Sequence, residues 1–200
     1  MRQKKIKHVN LDLMNSLGVV TDIKEISFDN NKDVYLEIGS GKGNFITTLA
    51  KDNPDNLYIA IEKNISVCYR IVEKRDLYDL SNLIIILGDS EDILEYFTDN
   101  TVKKIYLNFS DPWPKARHHK RRLTYPTYLN NYKKILKNDG EIQFRTDHID
   151  LFNDSVEYLN SFFEEVEIDR NHVINQYFTE YEEKKSKIGN IYQCRFKVGR

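Results

Sequence analysis

Short apolar runs alternate with longer stretches of mixed character along most of this 200-residue chain. The runs VYLEI (34–38), LYIAIE (57–62), LIIIL (83–87), KIYLNF (104–109) and EIQFRT (141–146) are rich in apolar, β-branched and aromatic residues, a pattern that predicts strands. EEVEID (164–169) reads as a sixth strand and the alternating IYQCRFKVG (191–199) as a seventh. Between them the pattern predicts helices over 44–51 (stopped by Asn53-Pro54), 65–80, around 91–97, 126–137 and 149–162. Pro126 near the start of the 126–137 helix and Gly140 just past its end predict its two termini. Strand and helix alternating with short connections implies an α/β fold, a doubly wound, mostly parallel seven-stranded sheet with helices on both faces. No helix-length apolar pattern separates 164–169 from 191–199, so one of these late strands is expected to be antiparallel. Sheets of this kind bind ligands beyond the carboxyl ends of their strands.

Repeats, low-complexity tracts and Pro/Gly/Ser-rich linkers are absent from the sequence, which gives one domain over 31–200 after a partly flexible N-terminal extension, 1–30. Hydrophobic residues at 40% and charged residues at 30% belong to a globular chain rather than a disordered one. No apolar run is long enough to span a bilayer, and MRQKKIKHVNLDLM lacks the apolar stretch of a secretory signal. Cys68 and Cys194 are too few for a disulfide framework, so a reduced, cytoplasmic protein is expected, as monomer or homodimer. A net charge of −1 excludes nucleic-acid binding over the whole surface but not through a local basic patch.

Glu37-Ile38-Gly39-Ser40-Gly41-Lys42-Gly43 joins the first strand to the first helix after it. Glycines there permit positive φ and let a ligand approach the backbone. The dinucleotide fingerprint fails because position 44 is Asn, and the phosphate loop fails because Gly43 follows Lys42. The spacing E-x-G-x-G-x-G resembles instead the S-adenosylmethionine loop of class I methyltransferases, whose Rossmann-like fold matches the predicted elements. That resemblance implies cofactor contacts from Glu37, Gly39, Gly41 and Gly43. It further implies that Glu62, ending the second strand, takes the ribose hydroxyls, and that Asp89, with Ser90 beside it, lies near the adenine.

After the fourth strand comes Ser110-Asp111-Pro112-Trp113-Pro114-Lys115, continuing through Arg117, His118, His119, Lys120, Arg121 and Arg122 to Leu123. Two prolines restrict the backbone around Asp111 and Trp113. Five cations within eight residues suit a phosphate backbone, although a charge run can equally be a solvated face. No Cys or acid stands at metal-ligand spacing from the two histidines, so no metal is expected. The segment resembles the signature of bacterial tRNA (guanine-N7)-methyltransferases, and with Arg145-Thr146-Asp147 and Thr179-Glu180-Tyr181-Glu182 the resemblance extends over residues 30–200. Ser90 (for Ala) and Arg145 (for Lys) depart from the family pattern.

The resemblance implies methyl transfer from S-adenosylmethionine to N7 of the variable-loop guanine at tRNA position 46. Asp111 would be catalytic and near the cofactor, Lys115, Asp147, Thr179, Glu180, Tyr181 and Glu182 would face the guanine, and Arg117 to Arg122 would hold RNA. Asp-Pro-Trp-Pro also resembles the motif of adenine N6 methyltransferases, where a second Pro follows the first; Trp113 occupies that place here. A non-catalytic RNA-binding module on the same fold is the alternative from a different class.

Overall fold

The computed structural model describes residues 5–27 and 31–199; the first four residues of the expected extension, and 28–30, lie outside them. The described elements are α1 (Leu11–Ser16), β1 (Val34–Ile38), α2 (Asn44–Asp52), β2 (Leu57–Ile61), α3 (Ile65–Leu77), β3 (Leu83–Ile86) and α4 (Ile93–Tyr96). They continue with β4 (Val102–Asn108), α5 (Pro126–Ile135), β5 (Leu136–Thr146), α6 (Ile149–Asn160), β6 (Glu164–Asp169), α7 (Glu182–Lys185) and β7 (Tyr192–Lys197). The seven strands form one sheet in the order β3-β2-β1-β4-β5-β7-β6. β1 pairs parallel with β2 and β4, β2 with β3 and β4 with β5, whereas β7 runs antiparallel to both β5 and β6. β7 is therefore the antiparallel late strand.

Successive strand residues face opposite sides of the sheet. On one face Val34, Leu36, Ile38, Ile59, Ile61, Ile105, Leu107, Ile142, Phe144 and Phe196 form a core with Tyr96 of α4, Leu129 and Tyr132 of α5, and Leu151 and Phe152 of α6. The other face is apolar over Tyr58, Ala60, Ile85 and Tyr106, where Met14 of α1, Phe45, Ile46 and Leu49 of α2, and Cys68 and Ile71 of α3 cover it. On that same face β1 turns polar at Glu37, β4 at Asn108, β5 at Gln143 and Arg145, and β7 at Gln193. These five side chains are buried, so this half of the sheet needs polar partners rather than an apolar helix. Both cysteines are free and buried, and burial pushes the Cys68 thiol up to about 12. No described helix is long and apolar enough to cross a membrane.

Two features differ from the sequence pattern. α5 ends at Ile135 and not at 137, and Gly140 is no helix cap; it lies within β5, where its carbonyl accepts the Val198 N–H. The Asn100 and Thr101 N–H groups donate to the carbonyls of Lys134 and Ile135, so the helix end is satisfied by the loop before β4. Within the extension before residue 31, Val9, Met14 and Val19 are buried in the second core cluster. Val20 forms an isolated bridge with Ile86, covering the otherwise open edge of β3.

Candidate active site

The strand order reverses between β1 and β4, and a cavity of about 570 Å³ opens there, at the carboxyl ends of β1 to β4. Its wall brings together Gly39, Glu62, Asp89, Ser90 and Asp111 from the expected cofactor set. Ile38, Phe109, Trp113, Arg121 and Tyr128 complete much of the wall. Gly39 and Gly41 have φ of 73° and 56°, and a Cβ at either would meet nothing within 4 Å. The demand for glycine there is conformational. The left-handed turns let the Gly39 N–H donate to the Ile61 carbonyl at 2.9 Å and the Gly41 N–H to Glu62 Oε2 at 3.0 Å. The Asn64 N–H donates to Glu62 Oε1 at 2.8 Å. Each oxygen thus keeps a further lone-pair site for a ligand hydroxyl. Burial raises the Glu62 carboxyl above its ordinary value, and these N–H groups oppose the rise.

Asp89 accepts from the Glu91 N–H at 3.3 Å and from the Ser90 hydroxyl at 3.2 Å, with Lys63 Nζ 3.8 Å away. Gly88 before it has a steric reason to be glycine: a Cβ there would stand 2.3 Å from the Tyr96 hydroxyl oxygen. Gly43, like Gly41, lies just outside the cavity wall; it holds φ of 80°, and a Cβ would meet Ile71 Cγ2 at 2.9 Å, so this glycine also serves the close approach of α2 to α3.

Glu37 lies just outside the cavity lining and is only 1% exposed. Asn108 Nδ2 donates to its Oε1 at 2.8 Å, while Glu37 Oε2 and Asn108 Oδ1 are buried without a hydrogen-bond partner among the described residues. Burial pushes the Glu37 carboxyl up to about 8, against the opposing hydrogen bond from Asn108. Two orphaned acceptors at the ends of neighbouring strands suit a ligand group that carries N–H donors.

The chain from β4 into the basic run is held in unusual conformations. Phe109 and Trp113 have φ of 52° and 40°, each costing about 1–3 kcal/mol for a residue with a Cβ. The Phe109 N–H donates to the Arg145 carbonyl at 2.9 Å, and its ring packs on Tyr181 at 5.2 Å. The Arg121 guanidinium lies 4.9 Å from the centre of the Trp113 ring. Asp111, between the two strained residues, is exposed on the cavity wall.

Residues 116–121 form a 3₁₀ turn from which Arg117, Lys120 and Arg121 project exposed, with Lys115 exposed just before it. Arg122 does not belong with them: it is 3% exposed and bound to Pro112, Asp154 and His119, so its expected role as an RNA contact is corrected. His119 is half-buried and its Nε2 accepts from Arg122 at 2.9 Å.

Thr179 to Glu182 lie on a strap over the polar half of the sheet and Asp147 directly follows β5; none of them is on the cavity wall. Thr179 Oγ1 accepts the Glu182 N–H at 3.0 Å and Glu182 Oε2 accepts the Thr179 N–H at 3.4 Å, a reciprocal capping box at the start of α7. The Glu182 carboxylate is fully buried and pairs with Arg145 Nη1 at 3.4 Å. Arg145 also donates to the Tyr177 carbonyl and to Gln193, and Asn44 donates to the Phe178 carbonyl. Glu180 pairs with Lys74. Asp147 accepts from the Tyr181 hydroxyl at 3.2 Å and pairs with Lys185 Nζ at 2.9 Å. Sequence reasoning missed the partnership of Asn108 with Glu37 and the contribution of Phe109 and Tyr128 to the wall. For Asn108 a signal existed, a polar residue inside an apolar strand. No described group of His, Cys, Asp or Glu could hold a metal.

A family model described as "Putative methyltransferase" matches residues 31–194. The chain is 44% identical over 170 residues to the tRNA (guanine-N(7)-)-methyltransferase of Staphylococcus epidermidis, covering 80% of this chain and 79% of that protein. It is 45% identical over 171 residues to the protein of the same name from Lactobacillus helveticus, covering 82% and 79%. The structure of the 16S rRNA methyltransferase KamB superposes with a TM-score of 0.66 over 98% of this chain and 97% of that one, at 13% identity, a likeness of fold.

Proposed function

The chain belongs to the bacterial tRNA (guanine-N7)-methyltransferase family, and from that premise we propose that it methylates N7 of a guanine in tRNA, at position 46 of the variable loop. The observation that carries the site assignment is the placement of Asp111 on the cavity wall, inside a strained segment that leads directly into exposed cations.

S-adenosylmethionine, when bound, supplies a methyl group on a sulfonium, open to direct displacement. Guanine N7 offers a lone pair and has no proton to lose, so neither a general base nor a nucleophilic side chain is needed. The chain's own work is positioning. Glu62, fixed by two backbone N–H groups, accepts from two adjacent hydroxyls. Glu37 and Asn108, behind the cavity wall, would offer their orphaned oxygens to an amino group, and Asp89 on the wall would take a second one. Asp111, on the cavity wall, would face the purine as positive charge develops on it, and a fixed carboxylate stabilises that charge without reorganising. Asp147 reads the N1–H and 2-amino donors that adenine lacks as a pair, after exchanging its contact with Lys185. Lys115 faces the guanine, and Arg117, Lys120 and Arg121 hold phosphates.

Transcripts carrying 7-deazaguanosine test the proposal at the level of one atom, because they keep the guanine edge and lose N7. Labelled methyl should enter the unmodified transcript and not the substituted one. Equal incorporation into both would refute N7 as the acceptor.

A further inference from the structure

Arg122 is the member of the basic run that faces inward, and its three contacts tie the segment that carries Asp111 to α6 and to the 116–121 turn. Its Nε donates to the Pro112 carbonyl at 2.9 Å, its Nη1 to Asp154 Oδ2 on α6 at 2.6 Å and its Nη2 to His119 Nε2 at 2.9 Å. The Pro112 carbonyl belongs to the peptide that joins Pro112 to Trp113, and Trp113 holds φ of 40° on the far side of that peptide. A charged donor on this carbonyl fixes the peptide plane in the orientation that the strained residue needs. A second tether lies two residues on, where the Thr124 hydroxyl meets that of the fully buried Ser155, also on α6, at 2.6 Å. The Asp111 segment is thus anchored to α6 and not only to its own strand.

We propose that Arg122, charge-balanced by Asp154, is the positioning residue that holds Asp111 at the cavity, an inference that rests on the catalytic reading of Asp111. The three acceptors are met by three separate nitrogens, Nε, Nη1 and Nη2, spread across one rigid planar fork. Lysine also has three donors but gathers them on a single nitrogen and cannot reproduce that spacing. His119 must present an unprotonated Nε2 to this fork, so part of the basic run supports the active site and does not bind phosphate.

The test compares Arg122→Lys, Asp154→Ala, Asp111→Asn and the double variant Asp111→Asn/Arg122→Lys, in kcat at saturating cofactor and tRNA and in the salt dependence of tRNA binding. Positioning predicts that Arg122→Lys and Asp154→Ala each lower kcat by roughly 10- to 100-fold, the range expected when a reacting group is displaced by about 1 Å. It predicts an unchanged salt slope, because Arg122 touches no phosphate. It also predicts that the double variant is no slower than Asp111→Asn by more than about threefold, since both changes act through one carboxylate. Asp154 is only part-buried, so its variant carries the test if Arg122→Lys fails to fold. Unchanged kcat in the Arg122 and Asp154 variants, with Asp111→Asn slowed, would overturn the positioning role alone. Unchanged kcat in Asp111→Asn would overturn it together with the catalytic reading, and multiplicative losses in the double variant would show that Arg122 acts elsewhere.

Discussion

Glu37→Gln should make the ligand-free protein more stable at neutral and basic pH while weakening its cofactor site. The carboxyl is raised from an ordinary 4.5 to about 8 by burial, so the folded state holds a proton that the unfolded state releases between those values. A raised acid of this kind makes stability fall as pH rises, with a slope of about 1.4 kcal/mol per pH unit inside the window. Below 4.5 both states are protonated and nothing is lost. From pH 5 to pH 8 the loss assigned to Glu37 amounts to about 3–4 kcal/mol, a large share of the roughly 5–15 kcal/mol that holds a domain folded. Glutamine keeps the shape and the acceptor for Asn108 Nδ2 and cannot ionise. His172, whose imidazole is lowered by burial, gives the opposite trend near its own range, so the difference between the two proteins is the quantity to read. Urea denaturation at pH 5, 6, 7 and 8 should show the variant gaining on the parent progressively up to pH 8. Calorimetry should show cofactor binding weakened by about 1.5–3 kcal/mol, the range for a hydrogen bond to a charged group. A stability difference independent of pH would refute the buried, proton-holding Glu37.

Glu62→Ala should weaken S-adenosylmethionine binding by about 1.5–3 kcal/mol in calorimetry; an unchanged affinity would place the pocket elsewhere. Gly88→Ala, whose Cβ would stand 2.3 Å from the Tyr96 oxygen, should destabilise by about 1–3 kcal/mol, and Tyr96→Phe in the same chain should restore much of the loss. Additive losses in thermal denaturation would show that this contact is not the cause. Arg117→Ala/Lys120→Ala should reduce the slope of log tRNA affinity against log salt by about 1.4–1.8, one coefficient per phosphate contact, and leave cofactor affinity intact. A parallel line with equal affinity would make these exposed cations a solvated face.

The strands from β1 to β4 and the helices between them were legible because both faces of that part of the sheet are largely covered by apolar helices, which leaves near-continuous apolar runs in the sequence. The cavity at the strand ends was legible for a related reason. Its residues sit at strand ends, so Glu62, Asp89 and Asp111 could be placed once the strands were placed. Illegible features depended on contacts distant in sequence. Arg122 looks like its exposed neighbours until Pro112, Asp154 and His119 are brought around it. Gly140 follows α5 closely enough to imitate a cap, but the N–H groups that satisfy the helix end come from Asn100 and Thr101, more than thirty residues earlier. The capping box of Thr179 with Glu182 and the pairing of Glu182 with Arg145 need β5 beneath the strap.

The central claim is a base and an atom, and one measurement tests both. The protein is incubated with unmodified tRNA and isotopically labelled S-adenosylmethionine, the tRNA is digested, and the methylated nucleoside is identified and mapped by mass spectrometry. The label should appear as N7-methylguanosine at position 46. Label in N6-methyladenosine, or none in tRNA despite measurable cofactor binding, would contradict the account.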